Sequence, residues 1–191
     1  METQRIGIAL CGSFCTFDRV MTEIERLVAM GHDVTPIVSF HTAQTDTRFG
    51  PAADHLKRLQ TITGKPPLCT LPQVEPLGPK DMLDVLIVAP CTGATLGRLA
   101  NGLSDTPVTL AVKSMLRRFR PIVLAVSTND ALGASMRNIG QLKNVKHLYF
   151  VPMRQDDPIN KPNSLVADFE RLWSTAEQAL SGNQIQPLFI S

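Results

Sequence analysis

The sequence lacks the features of three broad classes of protein. The 191-residue chain contains no apolar run near the roughly 20 residues that a membrane span needs. Residues 1–5 do not form the basic region that precedes an apolar segment in a signal peptide. The formal net charge is only +2, which gives no electrostatic case for a nucleic-acid or anionic membrane partner. We therefore expect a cytoplasmic protein with neither kind of partner.

Cysteine is scarce, and its spacing does not suggest a metal site. Four cysteines are present, Cys11, Cys15, Cys69 and Cys91, and no two of them form a CxxC pair. The interval between Cys11 and Cys15 matches no common zinc pattern, so no metal is expected. The favoured interpretation is packing in a reducing compartment. The alternative is a reactive thiol at Cys11, Cys15 or Cys91, because helix N-termini favour the thiolate.

Apolar runs alternate with segments at helical spacing along the whole chain. This pattern predicts a three-layer, Rossmann-like or flavodoxin-like α/β domain with a mainly parallel sheet. We predict one domain over residues 1–191, with a core at about 5–151, a last helix at about 165–180 and a tail. Strands are predicted at 6–10, 34–38, 85–88, 122–126 and 147–151, and helices at 17–30, 51–63, 94–103, 107–118, 131–142 and 165–180.

The turn after the first strand lacks the dinucleotide-binding fingerprint. GxGxxG requires two further glycines after Gly12, and the sequence continues Ser-Phe-Cys-Thr-Phe. The second strand ends in Ser39, where an acidic residue would hold an adenine ribose. NAD bound in the Rossmann manner is therefore not expected. A mononucleotide such as FMN fits better, with its phosphate near Ser13 and Ser39.

Four predicted strands end in small, hydroxyl-bearing turns. Ligands of open parallel sheets bind outside the carboxyl ends of the strands, and helix N-termini there hold phosphates. The candidate cofactor-binding residues are Gly12, Ser13, Ser39, Thr92, Gly93, Ala94, Thr95, Ser127 and Thr128. We expect residues 92–95 to approach a flat ring. Helix capping is the alternative for Ser13, Ser39 and Thr92.

These motifs together resemble the flavoprotein superfamily, which includes FMN-containing cysteine decarboxylases and flavin prenyltransferases. The resemblance covers about residues 5–145 and is most specific from the Pro-Cys-Thr at 90–92 to the Asn-Gly at 101–102. It implies an FMN-type binding site. It also implies a homo-oligomer, since members of the superfamily form trimers or larger shells with the ligand at intermolecular contacts.

Further segments resemble one subfamily from spore-forming bacteria. They lie at 77–80, 126–133, 155–158 and 161–165, and the last two fall outside the shared core. Members of this subfamily form one of two subunits of an enzyme that oxidises dihydrodipicolinate, or its hydrated precursor, to the dicarboxylate dipicolinate. The resemblance implies the mother-cell cytoplasm of a sporulating bacterium. It also implies a partner, the A subunit of that enzyme, which carries NADP.

The sequence departs from both better-known branches of the superfamily. The decarboxylases have a catalytic His shortly before the third strand, whereas residues 77–84 contain none. Residues 126–129 also differ from their Pro-Ala-Met-Asn segment. The prenyltransferases carry an Arg-Glu-Thr turn after the fourth strand that is missing here. An FMN-dependent decarboxylase using another base, and a non-catalytic scaffold for the A subunit, remain as alternatives.

The candidate catalytic residues are Asn129, Arg120 and Lys113. Asn129 offers a donor and an acceptor to a ring edge or to the substrate. Arg120 and Lys113 belong to a basic segment that could hold the substrate carboxylates, because arginine pairs bidentately with carboxylate. Arg98 and Arg137 compete for that role. The alternative for the basic segment is a solvated helix face, and His41 and His55 are weaker candidates for a general base.

Overall fold

The strands form one seven-stranded sheet in the computed structural model, which describes residues 2–191. The strands are β1 (Arg5–Leu10), β2 (Asp33–Val38), β3 (Val85–Cys91), β4 (Ile122–Thr128), β5 (Leu148–Phe150), β6 (Met153–Arg154) and β7 (Leu165–Ala167). The helices are α1 (Phe17–Ala29), α2 (Phe40–Gln44), α3 (Ala52–Thr63), α4 (Leu71–Val74), α5 (Gly93–Ala100), α6 (Pro107–Leu116), α7 (Ala134–Lys143) and α8 (Leu172–Leu180). Single 3-10 turns lie at Phe14–Thr16, Glu75–Leu77 and Phe169–Arg171.

The sheet is parallel over most of its width. Its order is β2-β1-β3-β4, and β5 pairs in parallel with the first half of β4. β7 pairs antiparallel with the last residues of β4, and β6 pairs antiparallel with β7. Parallel neighbours require crossover connections, and helices supply most of them. The carboxyl ends of β1, β3 and β4 consequently lie side by side at one edge.

Side chains alternate across the sheet, and each face has its own layer of helices. Ile6, Ile8 and Leu10 of β1 belong to the core shared with α1, α3 and α8. Ala9 belongs to the core on the opposite face, shared with α4, α5, α6 and α7. Burying a large apolar side chain completely stabilises a fold by roughly 1.5–3 kcal/mol. The two cores confirm the predicted three-layer α/β architecture.

Helix α1 agrees with its prediction to within one residue. Its buried side chains recur at helical spacing and include Phe17, Val20, Ile24 and Leu27. The chain leaves the helix through Gly31, whose φ of 85° is in the left-handed region that glycine adopts without strain. This stop brings the chain directly into β2.

No helix within residues 2–191 is long and apolar enough to cross a membrane.

The prediction of a helix over 165–180 is wrong in its first half. Leu165–Ala167 is strand β7, a 3-10 turn follows at Phe169–Arg171, and the helix begins at Leu172. All three residues of β7 are buried. Pairing with β4 on one side and β6 on the other explains the extended backbone. The apolar residues at 165, 166 and 169 have the spacing of an amphipathic helix. The sequence alone does not show the strand pairing that overrides this spacing.

Candidate functional site

A cleft of about 940 Å³ opens at the carboxyl edge of the sheet. This volume falls in the range of small-molecule sites, roughly 300–1,000 Å³. The cleft is formed by the turns after β1 and β4, the start of α5, the loop before α3 and the segment around β7. Its lining residues are 12–16, 47–49, 92–94, 127–130, Asp156, Lys161 and 164–166.

A pair of hydroxyls joins the turn after β1 to the end of β4. Ser13 Oγ lies 2.9 Å from Ser127 Oγ, although β3 separates the strands that carry them. Gly12 lets this turn lie close to α2, because a Cβ at this position would come within 2.6 Å of His41 Cδ2. The two serines therefore form a fixed polar surface in the wall of the cleft.

Helix α5 begins at the cleft. Thr92 caps it, and the hydroxyl of Thr92 accepts a hydrogen bond from Thr95 N at 3.3 Å. The side chain of Thr95 turns into the core, where its hydroxyl donates to Cys11 Sγ at 3.2 Å. Thr92, Gly93 and Ala94 thus line the cleft, whereas Thr95 does not. The first N–H groups of a helix have no partner within it, so this wall suits an anionic or oxygen-rich ligand.

The turn after β4 places a carboxylate beside the start of α5. Asp130 Oδ1 accepts hydrogen bonds from Thr128 Oγ1 at 2.6 Å and from Ser135 Oγ at 2.9 Å. A Cβ on Gly93 would come within 2.8 Å of both Asp130 Oδ1 and Thr128 Oγ1. Glycine is thus required at position 93 by contact with this turn. The turn also explains why α7 begins at Ala134 and not at 131, since Gly133 N donates to Asp130 O.

Four charged side chains line the cleft: Arg48, Asp130, Asp156 and Lys161. Lys161 Nζ lies 3.4 Å from Asp156 Oδ2. Burial raises the pKa of Asp156, but hydrogen bonds from Ser164 and Lys161 outweigh it, and the pKa lies below its ordinary value. The Arg48 guanidinium stacks 4.9 Å from the Phe49 ring centroid, and no carboxylate of residues 2–191 pairs with it.

The two histidines considered as bases pack on aromatic rings near the first turn. Phe14 lies 5.7 Å from His41 and 6.0 Å from His55 between ring centroids. His41 Nδ1 also lies 2.9 Å from Thr45 Oγ1. No histidine of the described chain lines the cleft. A histidine base within the cleft is therefore not available in this arrangement.

The structure brings most of the predicted cofactor residues together. Eight predicted positions line the cleft: Gly12, Ser13, Thr92, Gly93, Ala94, Ser127, Thr128 and, among the catalytic candidates, Asn129. Ser39 and Thr95 do not. Ser39 caps α2, accepting a hydrogen bond from Thr42 N at 3.2 Å, as in the capping alternative. The hydroxyl of Ser39 is therefore used by the next helix, and that of Thr95 by Cys11 in the core.

Arg120 and Lys113, which are predicted to be catalytic, lie away from the cleft. Arg120 precedes β4, which has seven residues and spans roughly 23 Å. Its guanidinium forms an ion pair with Asp81 at 2.6 Å. Lys113 lies near the end of α6, with Nζ 3.5 Å from Ser104 Oγ. Arg120 comes two positions before β4 begins, and Lys113 lies in the last turn of α6, the helix that leads to that strand, so alternation of helix and strand directs both to the amino edge.

Arg98 and Arg137, the competing arginines, do not line the cleft either. The cations that do line it, Arg48 and Lys161, were not assigned a role from the sequence. Arg48 lies in a polar loop with no periodic pattern, so nothing in the local sequence marks it. Lys161 falls in the subfamily segment at 161–165, which was the available signal.

The thiols support the packing interpretation at two positions. Burial raises the pKa of Cys11 to about 11, although a hydrogen bond from Thr95 opposes the shift. Burial also raises the pKa of Cys91 well above its ordinary value. Cys15 is exposed and lines the cleft, with Sγ 3.9 Å from Ser13 Oγ. Residues 2–191 contain no group of three or more His, Cys, Asp or Glu side chains that could hold a metal ion.

The chain belongs to the Flavoprotein family, whose model matches residues 1–172. It is 43% identical over 190 residues to the B subunit of dipicolinate synthase from Bacillus subtilis (strain 168), covering 100% of this chain and 95% of that protein. The crystal structure of the dipicolinate synthase B subunit from Bacillus halodurans superposes with a TM-score of 0.90 at 42% identity, covering 98% of this chain and 96% of that one. These similarities confirm the predicted superfamily and subfamily.

More distant structures share the fold. The FMN-dependent cysteine decarboxylase SpaF superposes with a TM-score of 0.68 at 23% identity, covering 92% of this chain and 97% of that one. DmrB of Burkholderia xenovorans, solved in complex with FMN, gives a TM-score of 0.70 at 16% identity, covering 93% and 96%. The predicted Rossmann-like fold class is thereby confirmed.

Proposed function

We propose that this chain acts with the A subunit of a dipicolinate synthase to oxidise dihydrodipicolinate, or its hydrated precursor, to dipicolinate in the mother-cell cytoplasm of a sporulating bacterium. The observation that carries the proposal is the carboxyl-edge cleft, which unites eight positions predicted to bind cofactor or substrate. Full-length similarity to dipicolinate synthase B subunits supports the choice of reaction. The same similarity supports the A subunit as partner, which would carry NADP.

The chemistry of the cleft fits an FMN-type ligand. Ser13, Ser127 and Thr92 offer hydroxyls, and α5 begins at the same wall. Hydroxyls and helix N-termini are groups that bind phosphate. Bound FMN would supply a ring that accepts a hydride.

The residues of the cleft also suit a planar dicarboxylate. Arg48 and Lys161 come from separate loops and are the two cations that line the cleft. The ammonium of Lys161 has three donors, so it can contact a carboxylate and keep its ion pair with Asp156. Asn129 is exposed in the cleft wall and can orient the ring through its amide. Positioning of the ring lowers the barrier to hydrogen removal, and aromatisation supplies much of the driving force. We propose these roles in place of those first assigned to Arg120 and Lys113.

Two measurements test this function. The first is the absorbance spectrum of the purified chain before and after addition of FMN. We expect a bound-flavin spectrum, and no binding at tens of micromolar FMN would contradict the cofactor. The second is turnover of dihydrodipicolinate by the A subunit with and without this chain. We expect turnover to depend on the pair, and equal activity in the absence of this chain would contradict a catalytic role.

A non-catalytic scaffold for the A subunit is the second candidate. The absence of histidine from the described part of the cleft favours it, because related decarboxylases use a histidine. A scaffold requires complex formation but no cleft chemistry. Replacing Arg48 or Lys161 would then leave turnover unchanged while the complex persists.

We also propose a homo-oligomer, which the sedimentation behaviour of the purified chain would test.

A further inference from the structure

The proposed reaction needs a group that accepts a proton. Aromatisation of a dihydropyridine that has two adjacent saturated ring carbons removes one hydrogen from each of them. One leaves with its electron pair as a hydride, which reduces a nicotinamide or flavin ring. The other leaves as a proton, and the electron pair of its C–H bond completes the aromatic ring. A positioned base that takes this proton contributes typically 10²–10⁴-fold to the rate.

We propose that Asp130 is the proton acceptor of the cleft, an inference that rests on the proposed function. The cleft offers few other bases. No histidine of residues 2–191 lines it, and the second carboxylate, Asp156, is ion-paired with Lys161. Asp130 has no such partner, since no Lys, Arg or His of residues 2–191 lies within ion-pair distance of it.

The two oxygens of Asp130 have different surroundings. Oδ1 accepts the hydroxyls of Thr128 and Ser135 at 2.6 and 2.9 Å. Oδ2 accepts no hydrogen bond from the described residues and is not a buried atom, so the contents of the cleft can reach it. One oxygen thus holds the carboxylate in place while the other is free to take a proton.

Packing fixes the orientation of this carboxylate. Gly93 lies against the oxygen cluster, because a Cβ there would come within 2.8 Å of Asp130 Oδ1 and 2.9 Å of Ser135 Oγ. The side chain of Ser135 is buried, and α7 anchors it. Asp130 is therefore supported by two elements, α5 and α7, while it faces the cleft beside Asn129. A base held in this way loses little entropy when the substrate binds.

The test compares Asp130→Asn with the parent chain, each in complex with the A subunit. The amide oxygen of asparagine can still accept from Thr128 and Ser135, so the turn keeps its hydrogen bonds while the base is lost. We expect kcat to fall by about 10²–10⁴-fold. The dissociation constant of dipicolinate, measured by calorimetry, should stay within about threefold. Asp54→Asn, at an exposed position in the first turn of α3, is the matched control and should keep full turnover.

Each outcome decides the assignment. A kcat of Asp130→Asn within threefold of the parent value would overturn it, and so would a loss of turnover matched by an equal loss of dipicolinate affinity. If this variant does not fold, Ser135→Ala takes its place, because it removes one support of Oδ1 and keeps the carboxylate. A fall of kcat by about threefold to tenfold at unchanged dipicolinate affinity then supports the assignment, and an unchanged kcat overturns it.

Failure of the proposed function gives a different result. In that case the turnover by the A subunit is the same with and without the parent chain. The parent's own lack of effect then distinguishes this case from a loss of the base. An active parent complex with an equally active Asp130→Asn complex leaves the function intact and removes only the base.

Discussion

The two edges of the sheet differ in what their ion pairs leave free. At the amino edge two ion pairs hold Arg5 and Arg120: Arg5 Nη2 lies 2.6 Å from Asp84 Oδ1, and Arg120 Nη2 lies 2.6 Å from Asp81 Oδ1. Arg5 also donates to the backbone oxygen of Asp81, which links the two pairs. The cleft at the carboxyl edge has one ion pair in the described chain, between Lys161 and Asp156. At the carboxyl edge Arg48 has no carboxylate partner among residues 2–191.

This difference separates stability from function. Paired charges that hold a loop to a strand already have their partners, so they have little left to offer a ligand. Unpaired charges in a cleft contribute little to folding but can bind an incoming anion. Changes at the amino edge should therefore alter unfolding, whereas changes to the charges at the carboxyl edge should alter binding and turnover.

The largest effect on stability is expected for Asp84→Ala. Asp84 accepts hydrogen bonds from Arg5 N, Nε and Nη2, so its removal leaves three donors of Arg5 without this acceptor. We expect a loss of about 2 kcal/mol in the free energy of unfolding, measured with urea at pH 7. FMN affinity should not change. If the free energy of FMN binding falls by more than the free energy of unfolding, the two edges do not have separate roles.

Acid should remove the difference in stability between the parent and Asp84→Ala chains. The hydrogen bond from Arg5 lowers the pKa of Asp84 below its ordinary value of 3.8. A carboxyl group with a lowered folded-state pKa stabilises the fold fully above the unfolded value and loses that contribution as pH falls through the folded value. The difference in unfolding free energy between the parent and Asp84→Ala chains should therefore shrink progressively as the pH falls below 3.8. A difference that does not shrink at any acidic pH at which the parent chain is still folded would contradict the ion pair.

Gly93→Ala should have the next largest effect, and it should lower both stability and FMN affinity. The added Cβ would meet Asp130 Oδ1 and Thr128 Oγ1 at 2.8 Å, so the β4 turn must shift. Overpacking of this kind costs about 1–3 kcal/mol, and FMN affinity should fall as the wall moves. Gly97→Ala on the same helix is the control, because its Cβ would approach no atom closer than 3.6 Å. That control should be neutral or stabilising by about 0.5–1 kcal/mol.

Arg48→Ala should weaken binding without altering stability. One charge-assisted hydrogen bond contributes about 1.5–3 kcal/mol, so dipicolinate affinity should fall by about tenfold or more. The melting temperature should remain unchanged, because Arg48 is exposed and forms no ion pair in the described chain. Arg118→Ala removes the same charge from an exposed site at the amino edge. Equal affinity losses in the two variants would indicate a general electrostatic effect and remove Arg48 from the site.

The sequence predicted the parallel core well because apolar periodicity reports burial. It predicted the cleft less completely, since residue type does not reveal where a side chain points. Ser13 and Ser39 both follow buried strands, yet one faces the cleft and the other caps a helix. The basic run before β4 likewise suggests a carboxylate clamp until Asp81, 39 positions earlier, is found to neutralise Arg120. Partners so distant along the chain leave no local signal.

The smallest effects separate these two serines. Ser39→Ala removes the cap of α2 and should cost about 1 kcal/mol of stability, with FMN affinity unchanged. Ser13→Ala should cost less stability than Ser39→Ala, because the Ser13 side chain caps no helix and lies in the cleft wall. It should lower FMN affinity about fivefold through one lost hydrogen bond. Flavin titrations and urea unfolding of both variants measure the two quantities side by side. If Ser39→Ala weakens FMN binding more than Ser13→Ala does, the phosphate lies at α2, and the role first predicted for Ser39 replaces the one that the cleft suggests.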